Sequence, residues 1–227
     1  MIFRGSGPGA QARDGCSVEL YRQLPYLGEL DAVRDCLHAG ATLLELGCGT
    51  GRLTRVLLAM GVVPTCVDNS PDMLRHLPIG VQAVEADVEN LALPQHFDVV
   101  LLASSLVNHF DPLVRNAFIA CAARHCKAGG VLLVERQDAE ALRTMPAGWQ
   151  GSAGPAQLTV DHVERTNGIT TMRLRYVIGH ESWTQEFAAV ALDEPEIEEL
   201  LRAHGFASPR WHGVRRRWVA SSYDPGT

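Results

Sequence analysis

The sequence predicts an α/β fold: a mostly parallel sheet with helices on both faces. Three observations carry this. Across residues 42–135, short apolar segments of strand length alternate with segments of helical periodicity, the rhythm of parallel β-α-β units. One segment, Phe97-Asp98-Val99-Val100-Leu101-Leu102, is nearly continuous in its apolar character, as a strand covered on both faces requires. A glycine-rich turn, Gly47-Cys48-Gly49-Thr50-Gly51, joins a strand to a helix, and open α/β sheets bind nucleotides at such junctions.

In chain order, residues 17–24 read as a short helix capped by Ser17, and residues 29–39 as a second helix carrying Leu30, Val33 and Leu37. The strand 42–46 enters the glycine turn. The next helix presents Leu53, Val56, Leu57 and Met60 on one face and stops at Gly61. Strand 62–67 ends in Asp68-Asn69-Ser70-Pro71, a good start for helix 72–77 because proline suits the first helical position. Strand 81–85, a loop over 90–96, strand 97–102, helix 112–125, a turn at 127–130 and strand 131–135 complete the rhythm. Residues 146–155 read as a loop. The segments 157–165, 170–178 and 182–191 then alternate apolar and polar residues across two hairpin turns. They form an antiparallel insertion or lid at 156–191. A helix at 195–203 and strands at 206–211 and 217–222, antiparallel to each other, close the chain.

Composition narrows the function. The chain has 227 residues, 46% of them apolar, enough for one domain at 15–227 with a substantial core. Residues 1–14, rich in Gly, Ala and Arg, read as a disordered leader and not as a signal peptide. No apolar run reaches the roughly 18–20 residues that span a bilayer, so no membrane partner is expected. A net charge of −6 argues against a nucleic-acid partner. The run Arg215-Arg216-Arg217 reads as a solvated turn. Six scattered cysteines with no Cys-x-x-Cys pair suit free thiols in a reducing cytoplasm, and no metal site is expected.

The glycine turn lacks the spacing of a dinucleotide fingerprint, since its third glycine comes early, at Gly51, and it has no lysine to neutralise phosphate. It suits close backbone approach to a ligand without a pyrophosphate. Asp68, with Asn69 beside it, ends the next strand, where an acid accepts from ribose hydroxyls. Asp87 ends the strand after that, placed for an exocyclic amine, with the Val88 amide for a ring nitrogen. Glu45, just below the turn, is a candidate for a ligand's ammonium group. Each acid also has a plainer reading, as a turn cap or an ion-pair partner.

In these residues the chain resembles the class I S-adenosylmethionine-dependent methyltransferases. Glu45-Leu46-Gly47-Cys48-Gly49-Thr50-Gly51 is similar to their first motif, Asp68 to their ribose-binding acid, and Asp87-Val88 to their adenine-binding pair. Phe97-Asp98-Val99-Val100 resembles the fourth-strand motif, and Lys127-Ala128-Gly129-Gly130 the turn before the fifth strand, with alanine where proline is usual. The resemblance implies a Rossmann-like, seven-stranded sheet and S-adenosylmethionine as cofactor. It implies cofactor contacts from Tyr21, Glu45, Gly47, the Cys48 backbone, Gly49, Asp68, Asn69, Asp87, Val88 and Ser104.

The segment Ser104-Ser105-Leu106-Val107-Asn108-His109 follows the fourth strand, beside the reacting end in such enzymes. His109 is the candidate base, with a capping or packing role as its alternative, and Asn108 is a candidate substrate positioner. Tyr26, Trp149, Tyr176 and Trp183 are candidates for an aromatic wall around a small acceptor, with packing as the alternative. The expected function is methyl transfer to a small molecule in the cytoplasm by a monomer or homodimer. An amine acceptor is favoured over oxygen because no strong base constellation is visible. Other expectations kept open are cyclisation or aminopropyl-type use of the same cofactor, a binding module without catalysis, and an NAD-dependent oxidoreductase.

Overall fold

The computed structural model describes residues 3–226. Its elements are β1 (Arg4–Ser6), α1 (Val18–Gln23), β2 (Thr42–Leu46), α2 (Arg52–Ala59), β3 (Val63–Asp68), α3 (Pro71–Leu74), β4 (Gln82–Glu85), β5 (Phe97–Leu102) and α4 (Pro112–His125). There follow β6 (Cys126–Glu135), α5 (Ala139–Thr144), β7 (Gln150–Ala153), β8 (Ala156–Thr166), β9 (Ile169–Ile178), β10 (Glu181–Val190), α6 (Glu194–Arg202), β11 (Arg210–His212) and β12 (Trp218–Ser222).

Two sheets organise the molecule. The larger has seven strands in the order β11-β12-β6-β5-β2-β3-β4. Strands β4, β3, β2, β5 and β6 are parallel, while β12 runs antiparallel to both β6 and β11. Successive residues of a strand face opposite sides. Leu44, Leu46, Val100, Leu102 and Val134 therefore pack toward α4 and α6, and Leu43, Leu101 and Leu133 pack toward α2. Leu43, Leu44, Val100, Leu101 and Leu102 are all but inaccessible, and each such side chain contributes about 1.5–3 kcal/mol. This is the mostly parallel sheet that the rhythm of the chain predicts, with the seven strands of the Rossmann-like fold that the resemblance implies.

The helix starts follow local chemistry. Ser17 accepts from the Leu20 amide and Ser70 from the Met73 amide, each filling one of the donors a helix start leaves open. At α6 the Asp193 side chain takes the Glu196 amide and the Glu196 side chain returns to the Asp193 amide.

The second sheet is antiparallel throughout, in the order β1-β10-β9-β8-β7. It takes in more than the insertion at 156–191. Residues 150–153, expected to be loop, form an edge strand, and the N-terminal segment, expected to be a disordered leader, supplies the opposite edge. Arg4 pairs with Glu186 and Ser6 with Thr184, and Trp183 donates through Nε1 to Pro8 O (2.9 Å). The glycines that suggested disorder permit close packing instead. A side chain on Gly5 would overlap the Gly15 carbonyl, and one on Gly7 would overlap Trp183.

Three further expectations change. Residues 29–39 form a 3₁₀ turn at Asp31–Cys36 and not a full helix, because the Tyr26 hydroxyl takes the Leu30 amide and donates to Asp31, competing with helical bonds. The strand expected at 206–211 shortens to β11, since Pro209 has no amide to donate and Phe206 keeps only one bridge, to Tyr223. The arginine run is not simply solvated: Arg215, Arg216 and Arg217 reach Asp138, Glu194 and Glu135.

Candidate active site

A cavity of about 490 Å³ lies between the carboxyl ends of the parallel strands and the inner face of the antiparallel sheet. That volume is ordinary for a small-molecule site.

Its floor is the glycine turn. The amides of Gly47 and Cys48 both donate to Val67 O (2.9 Å), which folds the turn back over β3. Gly47 and Gly49 have φ of +73° and +55°. A Cβ on Gly47 would press on Leu106, whereas a Cβ on Gly49 would meet nothing within 4 Å, so the floor is open where a ligand needs room. Asp68 fastens this turn: Oδ2 accepts from the Gly49 amide (2.8 Å) and Oδ1 from the Ser70 amide (2.9 Å). Burial pushes its carboxyl up, and the two amides push it back.

One wall follows β5. Ser104 and Ser105 both take left-handed backbone, φ +55° and +59°, a conformation that side chains resist. Glu135 holds it: Oε2 accepts from the Ser104 amide (3.0 Å) and Oε1 from Arg217 (2.7 Å). His109 lies on the same wall, in contact with both Phe3 and Phe110, whose rings also contact each other. Its Nδ1 accepts from the Asp111 amide (3.1 Å), and burial pushes its pKa down. The neutral ring therefore carries its proton on Nε2. With one nitrogen protonated and the other occupied, His109 is a hydrogen-bond donor, and the expected base has no lone pair to offer.

The roof comes from the antiparallel sheet and the N-terminal segment. Tyr176, Leu174, Gln185 and Phe187 face the cavity from β9 and β10, and Asp14, Cys16 and Tyr21 close it from the side. Cys16 joins these parts: its thiol donates to Asp14 Oδ2 (3.1 Å) and accepts from Gln185 Nε2 (2.9 Å).

Of the residues singled out in the sequence, Tyr21, Gly47, Gly49, Asp68, Asn69, Val88, Ser104, Asn108, His109 and Tyr176 line this cavity. Others do not. Glu45 is buried beneath the turn, where it accepts from Thr54 Oγ1 (2.6 Å) and burial pushes its carboxyl well up, and it does not line the cavity. Cys48 is buried with its thiol against Gly49 O. Asp87 stands one residue behind the wall, accepting from Asn69 Nδ2 (2.8 Å) and paired with Arg13 (3.5 Å). Asn108 lines the cavity, but its amide is committed: Nδ2 donates to Val190 O (2.8 Å) and Oδ1 accepts from the Gln137 amide (2.7 Å). Tyr26 borders a separate hollow beside α2. Trp149 lies over Gly151 on the outer strand. Trp183 is fully buried in the core of the antiparallel sheet with Leu20.

The sequence reading missed Asp14, Cys16 and Gln185. Asp14 and Cys16 flank a glycine in a stretch that looked unstructured, and only the period-2 alternation shared by Leu174, Tyr176, Gln185 and Phe187 marked the roof.

The cavity fits an adenosyl amino acid. Each Asp68 oxygen keeps a lone pair beyond its amide bond for a ribose hydroxyl. Met73, Ala86 and Val88 offer an apolar slot beside it, and the space above Gly49 admits a close ligand. Among the described residues no cluster of His, Cys, Asp and Glu has the makings of a metal site, and no helix is long and apolar enough to cross a membrane.

Comparison with known proteins agrees with this geometry. Residues 43–130 match the model of a methyltransferase-domain family. Over 139 residues the chain is 32% identical to a cypemycin N-terminal methyltransferase from a Streptomyces species, covering 58% of this chain and 53% of that protein. The chain thus spans about half the length of this relative. It is 27% identical over 188 residues to a malonyl-[acyl-carrier protein] O-methyltransferase from Serratia marcescens, covering 81% and 70%. A sugar N-methyltransferase from a Streptoalloteichus species shares the fold, with a TM-score of 0.69, 17% identity, and coverage of 95% of this chain and 98% of that one.

Proposed function

We propose, on the premise that residues 43–130 are a class I S-adenosylmethionine-dependent methyltransferase domain, that this protein transfers a methyl group to a small-molecule acceptor, with nitrogen the favoured acceptor atom. The observation that carries the reading is the cleft between Asp68 with its glycine turn and the Tyr176 face of the antiparallel sheet. It has one end suited to an adenosyl group and another lined by different chemistry.

When bound, S-adenosylmethionine supplies a methyl group already activated by its positive sulfur. The chain's part is therefore to bind, orient and exclude water. Asp68 would hold the ribose, with Asn69 beside it fixed by Asp87. Met73, Ala86 and Val88 would enclose the base. The strained Ser104-Ser105 corner, held by Glu135, fixes the wall beside the reacting centre. His109 would donate through Nε2 to an oxygen of the acceptor.

Nitrogen is favoured because neither the histidine nor the phenols of the cavity are poised to take a hydroxyl proton. His109 has no lone pair to offer, and the Tyr21 and Tyr176 phenols are pushed up, Tyr21 chiefly by the Cys16 thiol and Tyr176 by burial. An amine that arrives neutral needs no such base. The Streptoalloteichus neighbour is a sugar N-methyltransferase by name and the Streptomyces relative an N-terminal methyltransferase, whereas the Serratia relative is an O-methyltransferase, which keeps oxygen as the second reading.

Calorimetry with S-adenosylhomocysteine tests the cofactor. Saturable 1:1 binding is expected, with none for NAD; the reverse pattern overturns the reading. Incubation with methyl-labelled S-adenosylmethionine and mixed small amines, alcohols and acids then tests the reaction. Label retained on nitrogen is the expected result, and cofactor consumed without transferred label points to the cyclising or aminopropyl alternative.

A further inference from the structure

The roof of the cavity contains polar groups that the fold itself does not use. Tyr176 is more than nine-tenths buried, its side chain lines the cavity, and among the described residues nothing bonds its hydroxyl. A phenol placed in such a position normally finds a partner. Tyr176 lines the cavity and lies in the apolar cluster with Leu20 and Trp183, so its ring is held while its oxygen is unspent.

The neighbouring groups complete a pattern. Gln185 spends its Nε2 on Cys16 and leaves Oε1 without a partner among the described residues. Asp14 is oriented by Cys16 twice, through the Cys16 amide (2.9 Å) and thiol (3.1 Å), and its carboxylate lines the cavity. Burial keeps the Cys16 thiol protonated, so it serves as a donor to Asp14 and not as a nucleophile. Cavity-lining charge is predominantly acidic: Asp14, Asp68 and Glu89 against Arg13, which is paired with Asp87. The rest of the roof, Leu174 and Phe187, is apolar.

We propose that Asp14, Tyr176 and Gln185 form the acceptor subsite and select an amine carried on an apolar body, with the Asp14 carboxylate, Gln185 Oε1 and the Tyr176 hydroxyl oxygen accepting from the amine N–H groups. This rests on the methyltransferase reading and adds to it the class of acceptor and the residues that choose it. An acceptor bearing a carboxylate or phosphate at this end would meet like charge and no available cation. Asp14 and Tyr176 are binding and specificity residues here, and the glycine turn and Asp68 keep the cofactor.

The test uses the full chain saturated with S-adenosylhomocysteine and two probes of matched shape, phenethylamine and phenylacetate, observed by ligand-detected NMR. Phenethylamine should bind and phenylacetate should not. Asp14→Asn and Tyr176→Phe should each weaken phenethylamine by about tenfold, the worth of one strong hydrogen bond, and Tyr176→Phe should leave S-adenosylhomocysteine affinity unchanged. Tyr176→Phe removes an oxygen that has no protein partner, so the variant keeps its packing and folds. Preference for phenylacetate, absence of phenethylamine binding, or binding indifferent to both substitutions overturns the proposal. If the wild-type protein fails to bind S-adenosylhomocysteine, the methyltransferase reading itself falls, and this proposal with it.

Discussion

Asp68 fastens Gly49 and Ser70 by their amides and still faces the cavity, so substitution can separate its structural from its binding role. Asp68→Asn keeps one acceptor oxygen and puts an N–H₂ opposite an amide, so stability should fall by about 1 kcal/mol. Affinity for S-adenosylhomocysteine should fall at least about tenfold, since a ribose hydroxyl loses its charged partner. Asp98 is the control. It sits at the far end of β5, bonded to Thr42 and Lys127, which hold its carboxyl well below the usual range. Asp98→Asn should lower the melting temperature and leave affinity unchanged; equal affinity losses in both variants would defeat the ribose assignment. Asp68 and the glycines were legible because their signal is local, an acid at a strand end and a turn free of Cβ atoms. The state of His109 was not, because it depends on where the Asp111 amide points.

The connection between the two sheets depends on Asn108. Expected from the sequence as a substrate positioner, it joins the end of β10 to the residue that follows Arg136 beyond β6, spending its amide on Val190 and Gln137. Asn108→Ala takes this partner from a part-buried carbonyl and a part-buried amide, a loss of about 1–2 kcal/mol. Chemical denaturation should show that loss, and hydrogen exchange in β10 should rise more than in β2 or β5; uniform exchange would show that Asn108 does not couple the sheets. The parallel strands were readable as elements because each is an apolar run between turns. The antiparallel sheet was readable only in its hairpins. Its outer edges, β1 and β7, are three and four residues long and acquire their strand character from partners distant in sequence.

For the molecule as a whole, the histidines set the pH response near neutrality. His125 is fully buried, with Nδ1 bonded to Cys121 O (2.8 Å) and Nε2 accepting from the Leu93 amide (2.9 Å). Burial holds its pKa below the ordinary value, and the same is true of His109 and His204. The unfolded chain therefore binds more protons than the native one just below the ordinary histidine pKa of about 6.5. Their stabilisation is complete above that value and is lost as pH falls through it toward the depressed native values. The fall in melting temperature between about pH 7.5 and pH 5.5 should be smaller in His125→Gln than in the wild-type protein, which separates the histidine contribution from the opposing one of the raised Glu45 and Asp68 carboxyls; identical profiles would contradict burial of a neutral His125.

The pairing of β1 with β10 also bears on how the molecule is made. Ser6 meets Thr184 across 178 positions of sequence, so this seam closes the longest loop in the cavity wall. The parallel core can form from segments much nearer in sequence, and its contacts carry less loop-closure entropy. Closure of the chamber is therefore expected to follow formation of the parallel core, when β1 finds β10.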